Sequence, residues 1–284
     1  MCAIAAVSPE MRTSFWDESG AERQGSGGVG SSLAGNRLKL EVQTMPRYVL
    51  PFPVVPGKSD ADVKASGEYF RSKPSEYKES RQRAGITVER AYLQKTPMGN
   101  FVVVYVEGSK SYADTLPALM DPSLEINSFF ANFIKEVHGF DVTQPPTGPP
   151  PETIAEWSDP AVTTRKKGLA FCAPGIPGKE DLGKAFAKEA FVTKVTEFTA
   201  SRRVLKENLE VVSLSATPMG PIICIYLEGD DPVDANRKFA ASQSAFDRWF
   251  KDECRNIFPP MINFDEPVPP VEEFFDSTGL LQKV

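Results

Sequence analysis

Hydrophobic and polar positions in the first half of the sequence predict a strand, a helix, a β-hairpin, a second helix and a last short strand. The apolar stretch Tyr48–Val55 continues into Pro-Gly, which indicates a strand followed by a turn. Alternating segments at 86–95 and 101–107 flank Thr96-Pro-Met-Gly99, a turn in which Pro presets φ and Gly closes the loop. With a short strand at 140–143, the pattern becomes β-α-β-β-α-β, which is ferredoxin-like.

The same order of patterns returns 121 residues further along the chain. Thr96-Pro-Met-Gly99 aligns with Thr217-Pro-Met-Gly220, and about a quarter of the positions in 50–137 are identical to their counterparts, as in tandem repeats. The second set of predicted elements comprises strands at 168–173, 209–216, 222–228 and 261–264 and helices at 180–207 and 232–257. We therefore predict an α+β chain of two homologous ferredoxin-like units, at residues 46–160 and 165–284.

The two faces of the predicted hairpin differ in a way that places the units against each other. One face of its second strand carries Val102, Val104 and Val106, which suits packing against helices. The opposite face carries Tyr105 and Glu107 among apolar residues, and it is less polar than a solvated face would be. We therefore expect this mixed face to cover the sheet of the other unit. The two units would then form an intramolecular, pseudo-dimeric α/β barrel.

A proline-rich segment follows the second predicted helix of each unit, at 145–151 and at 267–270. The first segment alone has the composition of a linker, and it also fits a polyproline ligand of the SH3 type. Because the second segment stands at the matching place, we interpret both as part of the repeat. Together with the acidic and aromatic stretches that follow, 152–157 and 272–275, they are expected to form extended arms that pack back onto the fold.

Composition narrows the classes of function. Residues 1–45 include the Gly- and Ser-rich run 24–32, which predicts a disordered tail, and with no targeting signal a cytoplasmic location is expected. The net charge of −6 argues against nucleic-acid binding, and the short apolar runs argue against a membrane helix. Four cysteines without CxxC spacing and a single histidine argue against a metal site. We expect no cofactor, and a monomer with an internal pseudo-dimer.

Tyr105, Glu107, Tyr226 and Glu228 are the candidate catalytic residues, because they face the predicted interior. A glutamate in an apolar interior has a raised pKa and can serve as an acid or base, and a neighbouring tyrosine hydroxyl can orient a ligand. The alternative is that each glutamate lies at a strand end, solvated or paired with an arginine.

Arg81 and Arg202 are candidate ligand-binding residues near the end of the first helical region of each unit. They could bind an anionic substrate. The alternative is that they stabilise the helix end or pair with Glu89 and Glu210, which lie on otherwise aliphatic strand faces.

Trp249 and His138 are further candidates for ligand binding. Trp249 could form a ligand platform or belong to the helix core. His138 could act as a base, or it could cap the helix end before Gly139 as a protonated imidazole. Cys172 and Cys224 fall on neighbouring predicted strands, where buried thiols are expected rather than a disulfide.

Several of these residues resemble motifs of the dimeric α/β-barrel superfamily. The pattern Ser80-Arg81, Gly85-Ile86, Glu89, Thr96-Pro-x-Gly99 and Tyr105-x-Glu107 is similar to that of a bacterial ferredoxin-like group with no assigned activity. The superfamily includes cofactor-free monooxygenases and muconolactone isomerase. The resemblance, over residues 46–284, implies a small-molecule-binding barrel such as a cofactor-free monooxygenase or isomerase. The alternative is a non-catalytic structural or interaction domain with a filled interior.

The two units also differ from each other in their second helix. The segment 244–250 contains Trp249, whereas its counterpart 123–129 contains no tryptophan, and His138 occurs only in the first unit. We therefore hypothesise that any ligand site is asymmetric.

Overall fold

The computed structural model describes residues 45–144 and 148–281, so the tail predicted at 1–45 lies, apart from Met45, outside the described residues. The first half comprises β1 (Arg47–Pro53), α1 (Asp60–Ser72), α2 (Pro74–Ala84), β2 (Ile86–Thr96), β3 (Gly99–Gly108), α3 (Tyr112–Leu119), α4 (Glu125–Phe133, followed by the π-helical turn Ile134–His138) and β4 (Glu152–Ser158). The second half comprises β5 (Lys167–Pro174), α5 (Glu180–Lys188, followed by the π-helical turn Glu189–Thr193), α6 (Val195–Val204), β6 (Glu207–Thr217), β7 (Gly220–Gly229), α7 (Pro232–Ala241), α8 (Ala245–Ile257), β8 (Val271–Asp276) and α9 (Thr278–Leu281). Among the helices in these two ranges, none has the length and apolar character needed to cross a membrane.

Local sequence signals determine several of the helix ends. α1 begins after Ser59, whose hydroxyl accepts a hydrogen bond from the Asp62 amide, while the Asp62 carboxylate accepts one from the Ser59 amide. Pro74 stands at the first position of α2, so the first helical region of this half is divided into two helices, at the residue where its ring predicts a kink or a late start. α7 begins at the predicted residue, Pro232, and the side chain of Asp231 caps it by accepting a hydrogen bond from the Asp234 amide.

The strands of the described residues form two four-stranded antiparallel sheets, in the orders β1-β3-β2-β8 and β4-β6-β7-β5. The fold is therefore the mixed α+β fold that the sequence predicts. Each hairpin turns at its Thr-Pro-Met-Gly sequence. Each hairpin also has a β-bulge at the start of its first strand, beside Ile86 in β2 and beside Glu207 in β6.

The strand after each proline-rich segment belongs to the sheet of the other half. β4 pairs with β6, and β8 pairs with β2, so the predicted arms are strands exchanged between the halves. The short strands predicted at 140–143 and 261–264 are wrong, because these segments form turns and loops. In the first, the Asp141 carboxylate accepts a hydrogen bond from the Thr143 amide. The second follows Pro259-Pro260, which lacks the amide hydrogens that a strand ladder needs.

The faces of the hairpin strands point as predicted. The aliphatic outer faces pack against helices, with Val102 in one core beside Phe70 and Ile223 in another beside Phe250. The inner faces of both sheets share a third core, which includes Val49, Val103, Tyr105, Ala170, Cys224 and Tyr226. The sheets are therefore packed face to face.

Side chains bridge the edges of the two sheets. Within the described residues, no backbone ladder joins the sheets, so the predicted barrel is not closed. The Gln94 amide donates to the Cys172 carbonyl oxygen at 3.0 Å and accepts from the Cys172 amide at 2.8 Å. The Val49 amide donates to the Ser213 hydroxyl at 3.1 Å, so backbone groups of two of the edge strands, β1 and β5, have side-chain partners in the other sheet. Cys172 and Cys224 are free, buried thiols, as predicted.

Candidate functional site

The four predicted catalytic residues lie together between the two sheets. The rings of Tyr105 and Tyr226 stack with their centroids 3.7 Å apart and their planes inclined by 6°. The Tyr105 hydroxyl donates to Glu107 Oε2 at 2.8 Å, and the Tyr226 hydroxyl donates to Glu228 Oε2 at 2.9 Å. The two-residue spacing puts each hydroxyl and carboxylate on one face of a strand, and all four side chains are buried.

Arginines neutralise both carboxylates. Arg165, in the loop between β4 and β5, contacts Glu107 with Nη2 and lies 3.4 Å from Glu228 Oε2 with Nη1. Arg47 Nε adds a contact of 3.2 Å to Glu107. Burial alone would raise the pKa of Glu107, but the guanidinium groups of Arg165 and Arg47 bring it below its ordinary value.

This arrangement places paired polar groups between the sheets. Burial, followed by neighbouring carboxylates and phenols, raises the pKa of Tyr105 and Tyr226 well above the ordinary value, so both hydroxyls stay protonated at neutral pH. Neither of the two cavities described below is lined by any of the four residues. Each glutamate has the arginine partner that was the alternative to a role in catalysis.

Replacing Arg165 with glutamine is expected to lower the free energy of unfolding by about 1.5–3 kcal/mol, because two buried carboxylates lose a shared charged partner. Urea denaturation of wild type and variant measures the loss. Lys166→Gln is the matched control, since its ammonium pairs with the exposed Asp230 and its loss should stay below about 1 kcal/mol. Equal losses in both variants would contradict the role of Arg165.

Arg81 and Arg202 are buried in ion pairs. Arg81 Nε donates to Glu89 Oε2 at 2.6 Å, and Arg202 Nε donates to Glu210 Oε2 at 2.6 Å. Both guanidinium groups also lie over aromatic rings, and Arg202 is 4.3 Å from the centroid of the Phe198 ring. The pairing expected as the alternative to anion binding is therefore present in both halves.

His138 is buried and neutral. Its Nδ1 lies 3.0 Å from the Pro53 carbonyl oxygen, and its ring packs against Phe52 and Phe133. Burial lowers the pKa of His138 to about 4. The expectation that a protonated imidazole caps this helix end is therefore wrong, and Gly139, with φ of 74°, ends the helix instead.

Trp249 lies on the side of α8 that faces α5. Its ring packs against Phe186 at a centroid distance of 5.7 Å, and the Lys194 ammonium lies 4.9 Å from the ring centroid. Trp249 is not one of the residues that line the large cavity of this half, whereas the next residue, Phe250, is.

A cavity of about 730 Å³ lies mainly in the second half, between its helices and the outer face of its sheet, and it extends to the hairpin tip of the first half at Thr96 and Met98. The corresponding cavity of the first half measures about 90 Å³. Volumes of about 300–1,000 Å³ are typical of small-molecule sites. The wall is mainly apolar and includes Ala187, Phe191, Ile223, Phe250, Cys254 and Ile257. The cavity reaches the surface beside the exposed side chains of Met98, Met219 and Met261.

Glu207 is an ionisable side chain that lines this cavity, and one of its carboxyl oxygens has no hydrogen-bond partner among the described residues. It is 4% exposed, and its Oε2 forms no hydrogen bond with any described residue. That atom lies 3.5 Å from Arg202 Nε, which already donates to Glu210. Burial and the carboxylates of Glu210 and Asp247 raise the pKa of Glu207 to about 8, although Arg202 opposes the shift. The carboxyl is therefore mostly neutral at pH 7 and can give or take a proton.

The sequence analysis missed Glu207, although a comparison of the halves contains the signal. Glu207 stands 121 residues after Ile86, so a carboxyl occupies a position that is aliphatic in the first half. Lys206, in the same way, stands at the position of Gly85. Their φ angles are 60° and 75°, the left-handed conformation that favours glycine. The turn that leads into Glu207 therefore keeps its shape at a conformational cost.

Comparison with known proteins identifies no family. No family model matches the chain, and no curated protein matches it. A crystal structure from Fusobacterium nucleatum subsp. nucleatum, described as "Putative monooxygenase", has a TM-score of 0.42 and 8% sequence identity to this chain. That alignment covers 80% of this chain and 88% of the other.

Proposed function

We propose that this chain binds one small, mostly apolar organic molecule in the cavity of its second half. The observation that carries the proposal is the difference in volume between the halves, about 730 Å³ against about 90 Å³. Apolar walls of this extent are costly to leave uncovered, and a ligand of matching shape would bury them.

We also propose that the halves are tandem ferredoxin-like units, at 46–160 and 165–284, arranged as an intramolecular pseudo-dimer. The matching hairpin registers and the bulges beside Ile86 and Glu207 support this view. The exchange of β4 and β8 supports it as well, because each strand completes the sheet of the other half. In this arrangement the first unit has an almost filled core between its helices and its sheet, whereas the second unit has a large cavity there.

Two substitutions between the halves account for part of the difference in volume. Cys254 in α8 stands at the position of Phe133, and Ala240 in α7 stands at the position of Leu119. The larger residues line the small cavity of the first half, and the smaller residues line the large one. A ligand would occupy the space that Phe133 and Leu119 fill in the other half.

A cofactor-free monooxygenase or isomerase, as the family resemblance implies, is the catalytic form of this proposal. Glu207 is the feature that favours proton transfer in this cavity, because its carboxyl is buried, its Oε2 lacks a hydrogen-bond partner among the described residues, and burial raises its pKa to about 8.

The double variant Ala240→Leu/Cys254→Phe is expected to lose ligand binding, because the larger side chains found at these positions in the first half would fill part of the cavity. With 2-isopropenylnaphthalene as a hydrocarbon probe, equilibrium dialysis should give one mole bound per chain of wild type. We expect at least about tenfold weaker binding in the variant, since the probe loses the apolar contact that drives its transfer.

The control is Ala241→Leu/Ala245→Phe, which adds the same groups at exposed positions of the same two helices. Its affinity for the probe should equal that of wild type, and both variants should unfold cooperatively. Two moles bound per chain, unchanged binding in the cavity variant, or no binding to wild type would each contradict the proposal. The last result would favour the alternative of a non-catalytic structural domain.

A further inference from the structure

We propose that the carboxyl group of Glu207 is the polar anchor of this cavity, and that it donates a hydrogen bond to a carbonyl oxygen on an otherwise apolar, uncharged ligand. This inference rests on the proposed function and adds the class of ligand to it. Ketones and quinones are the simplest members of that class.

The geometry leaves one buried carboxyl without the partner that such groups normally have. Arg202 and Glu210 satisfy each other at 2.6 Å, whereas Glu207 Oε2 forms no hydrogen bond with any described residue. Buried polar atoms are rarely left without a partner, since the loss of water is then uncompensated. A ligand in the cavity is the partner that this position can still acquire, because Glu207 is part of the cavity wall.

The charges around Glu207 favour its neutral form. The groups that face it are Arg202 from α6, Glu210 from its own strand β6, and Asp247 from α8. Arg202 is already paired with Glu210, and Asp247 accepts hydrogen bonds from the hydroxyls of Ser201 and Ser242. An additional negative charge on Glu207 would therefore be poorly compensated. A neutral carboxylic acid has an O–H donor, so the complementary ligand group is an acceptor.

The residues that line the cavity favour a ligand that is apolar and uncharged apart from its carbonyl group. Phe186, Phe191 and Phe250 offer aromatic surface, and Ile223 and Ile257 offer aliphatic surface. A carboxylate ligand would lie near Glu210, which also lines the cavity, and the two negative charges would repel each other. An ammonium ligand would have to bring its charge into an apolar space, and it would require Glu207 in its less stable ionised form. A ligand with a carbonyl group on an apolar skeleton brings no charge into the cavity, and it binds the neutral form of Glu207.

Three probes of one shape test this inference against wild type, Glu207→Gln and Glu207→Ile. The probes are 2-acetylnaphthalene, which has a carbonyl, 2-isopropenylnaphthalene, which replaces that oxygen by a CH2 group, and 1-(2-naphthyl)ethylamine. At pH 6.5, wild type should bind the ketone about tenfold more tightly than the hydrocarbon, as one net hydrogen bond provides. Glu207→Gln keeps an N–H donor and should keep the preference. Glu207→Ile, which places the first half's residue there, should bind both equally.

The pH dependence separates a carboxylic acid from a fixed donor. At pH 9.5 the wild-type preference for the ketone should fall, because Glu207 loses its proton, whereas that of Glu207→Gln should stay constant. Equal binding of ketone and hydrocarbon by wild type at pH 6.5 would overturn the hydrogen-bond inference and leave the proposed pocket intact. Preference for the amine, with loss of binding in Glu207→Gln, would also overturn it. Failure of all three probes to bind would overturn the pocket and this inference together.

Discussion

Replacing Arg81 with leucine is expected to lower the free energy of unfolding by about 3–5 kcal/mol, because it leaves a buried carboxylate without its charge partner. The Arg81 side chain has no exposed surface, and its Nε donates to Glu89 Oε2 at 2.6 Å. In the variant, Glu89 would keep the hydrogen bond from the Tyr77 hydroxyl at 2.7 Å but would lose the guanidinium group that neutralises it. Urea denaturation at pH 7 gives the free energies of both proteins.

The double variant Arg81→Leu/Glu89→Leu distinguishes a broken ion pair from a lost packing contact. Removing both charges should restore much of the stability, since apolar replacements of buried ion pairs are often nearly neutral. Arg83→Leu serves as the control on the same helix, because its side chain is 44% exposed and pairs with Glu79 and Asp121, so its effect should stay below about 1 kcal/mol. A double variant as unstable as Arg81→Leu would show that packing, not charge, dominates at this position.

Local signals in the sequence were sufficient for the hairpins and for the side on which each strand packs. Alternation along β3 separates Val102 and Val104 from Val103 and Tyr105, and the structure places the first pair against helices and the second between the sheets. These predictions succeed because alternation and turn residues act over a few positions of the chain.

The sequence predicts that the segments of β4 and β8 are extended arms that pack onto the fold, but it does not predict that each arm joins the sheet of the other half. Which sheet receives an arm depends on contacts more than fifty positions away, such as that between Trp157 and Glu210. The composition of 152–157 and 272–275 indicates extended chain but does not name the partner strand. The two short strands predicted at 140–143 and 261–264 fail for a related reason: Ile262 and Phe264 pack against a core without joining a sheet edge, and Phe140 and Met261 are exposed.

For the candidate site, the sequence identified which polar residues are buried, but it did not show where a cavity lies. Tyr105, Glu107, Tyr226 and Glu228 are buried together, as their positions on alternating strands imply. Whether such a core is filled depends on the volumes of facing side chains and on arginines supplied by distant loops, such as Arg165. Cavity volume is a property of packing in three dimensions, and no single segment of sequence encodes it.

Replacing Glu207 with isoleucine is expected to stabilise the protein increasingly as the pH rises, by about 2–4 kcal/mol at pH 9 relative to pH 5. The folded-state pKa of Glu207 is raised to about 8, above the ordinary value of 4.5. The raised pKa means that the folded state binds the proton more tightly than the unfolded chain does. The contribution of Glu207 to stability is therefore fully present below about 4.5 and is lost as the pH rises through about 8. Isoleucine carries no proton, so the variant does not lose this contribution.

Guanidinium denaturation of wild type and Glu207→Ile at pH 5, 7 and 9 measures this difference, since other titrating groups are shared and cancel. Glu207→Gln should show the same pH trend as the isoleucine variant, because both lack the proton that Glu207 releases. Glu197→Gln, on the exposed side of α6, removes one carboxylate without changing the cavity, and it should follow the wild-type pH dependence within about 0.5 kcal/mol. If wild type and Glu207→Ile differed by the same free energy at all three pH values, the pKa of Glu207 would not be raised in the folded protein. The carboxyl would then be ionised across this pH range, either exposed to solvent or fully paired, and it could not act as a neutral donor in the cavity.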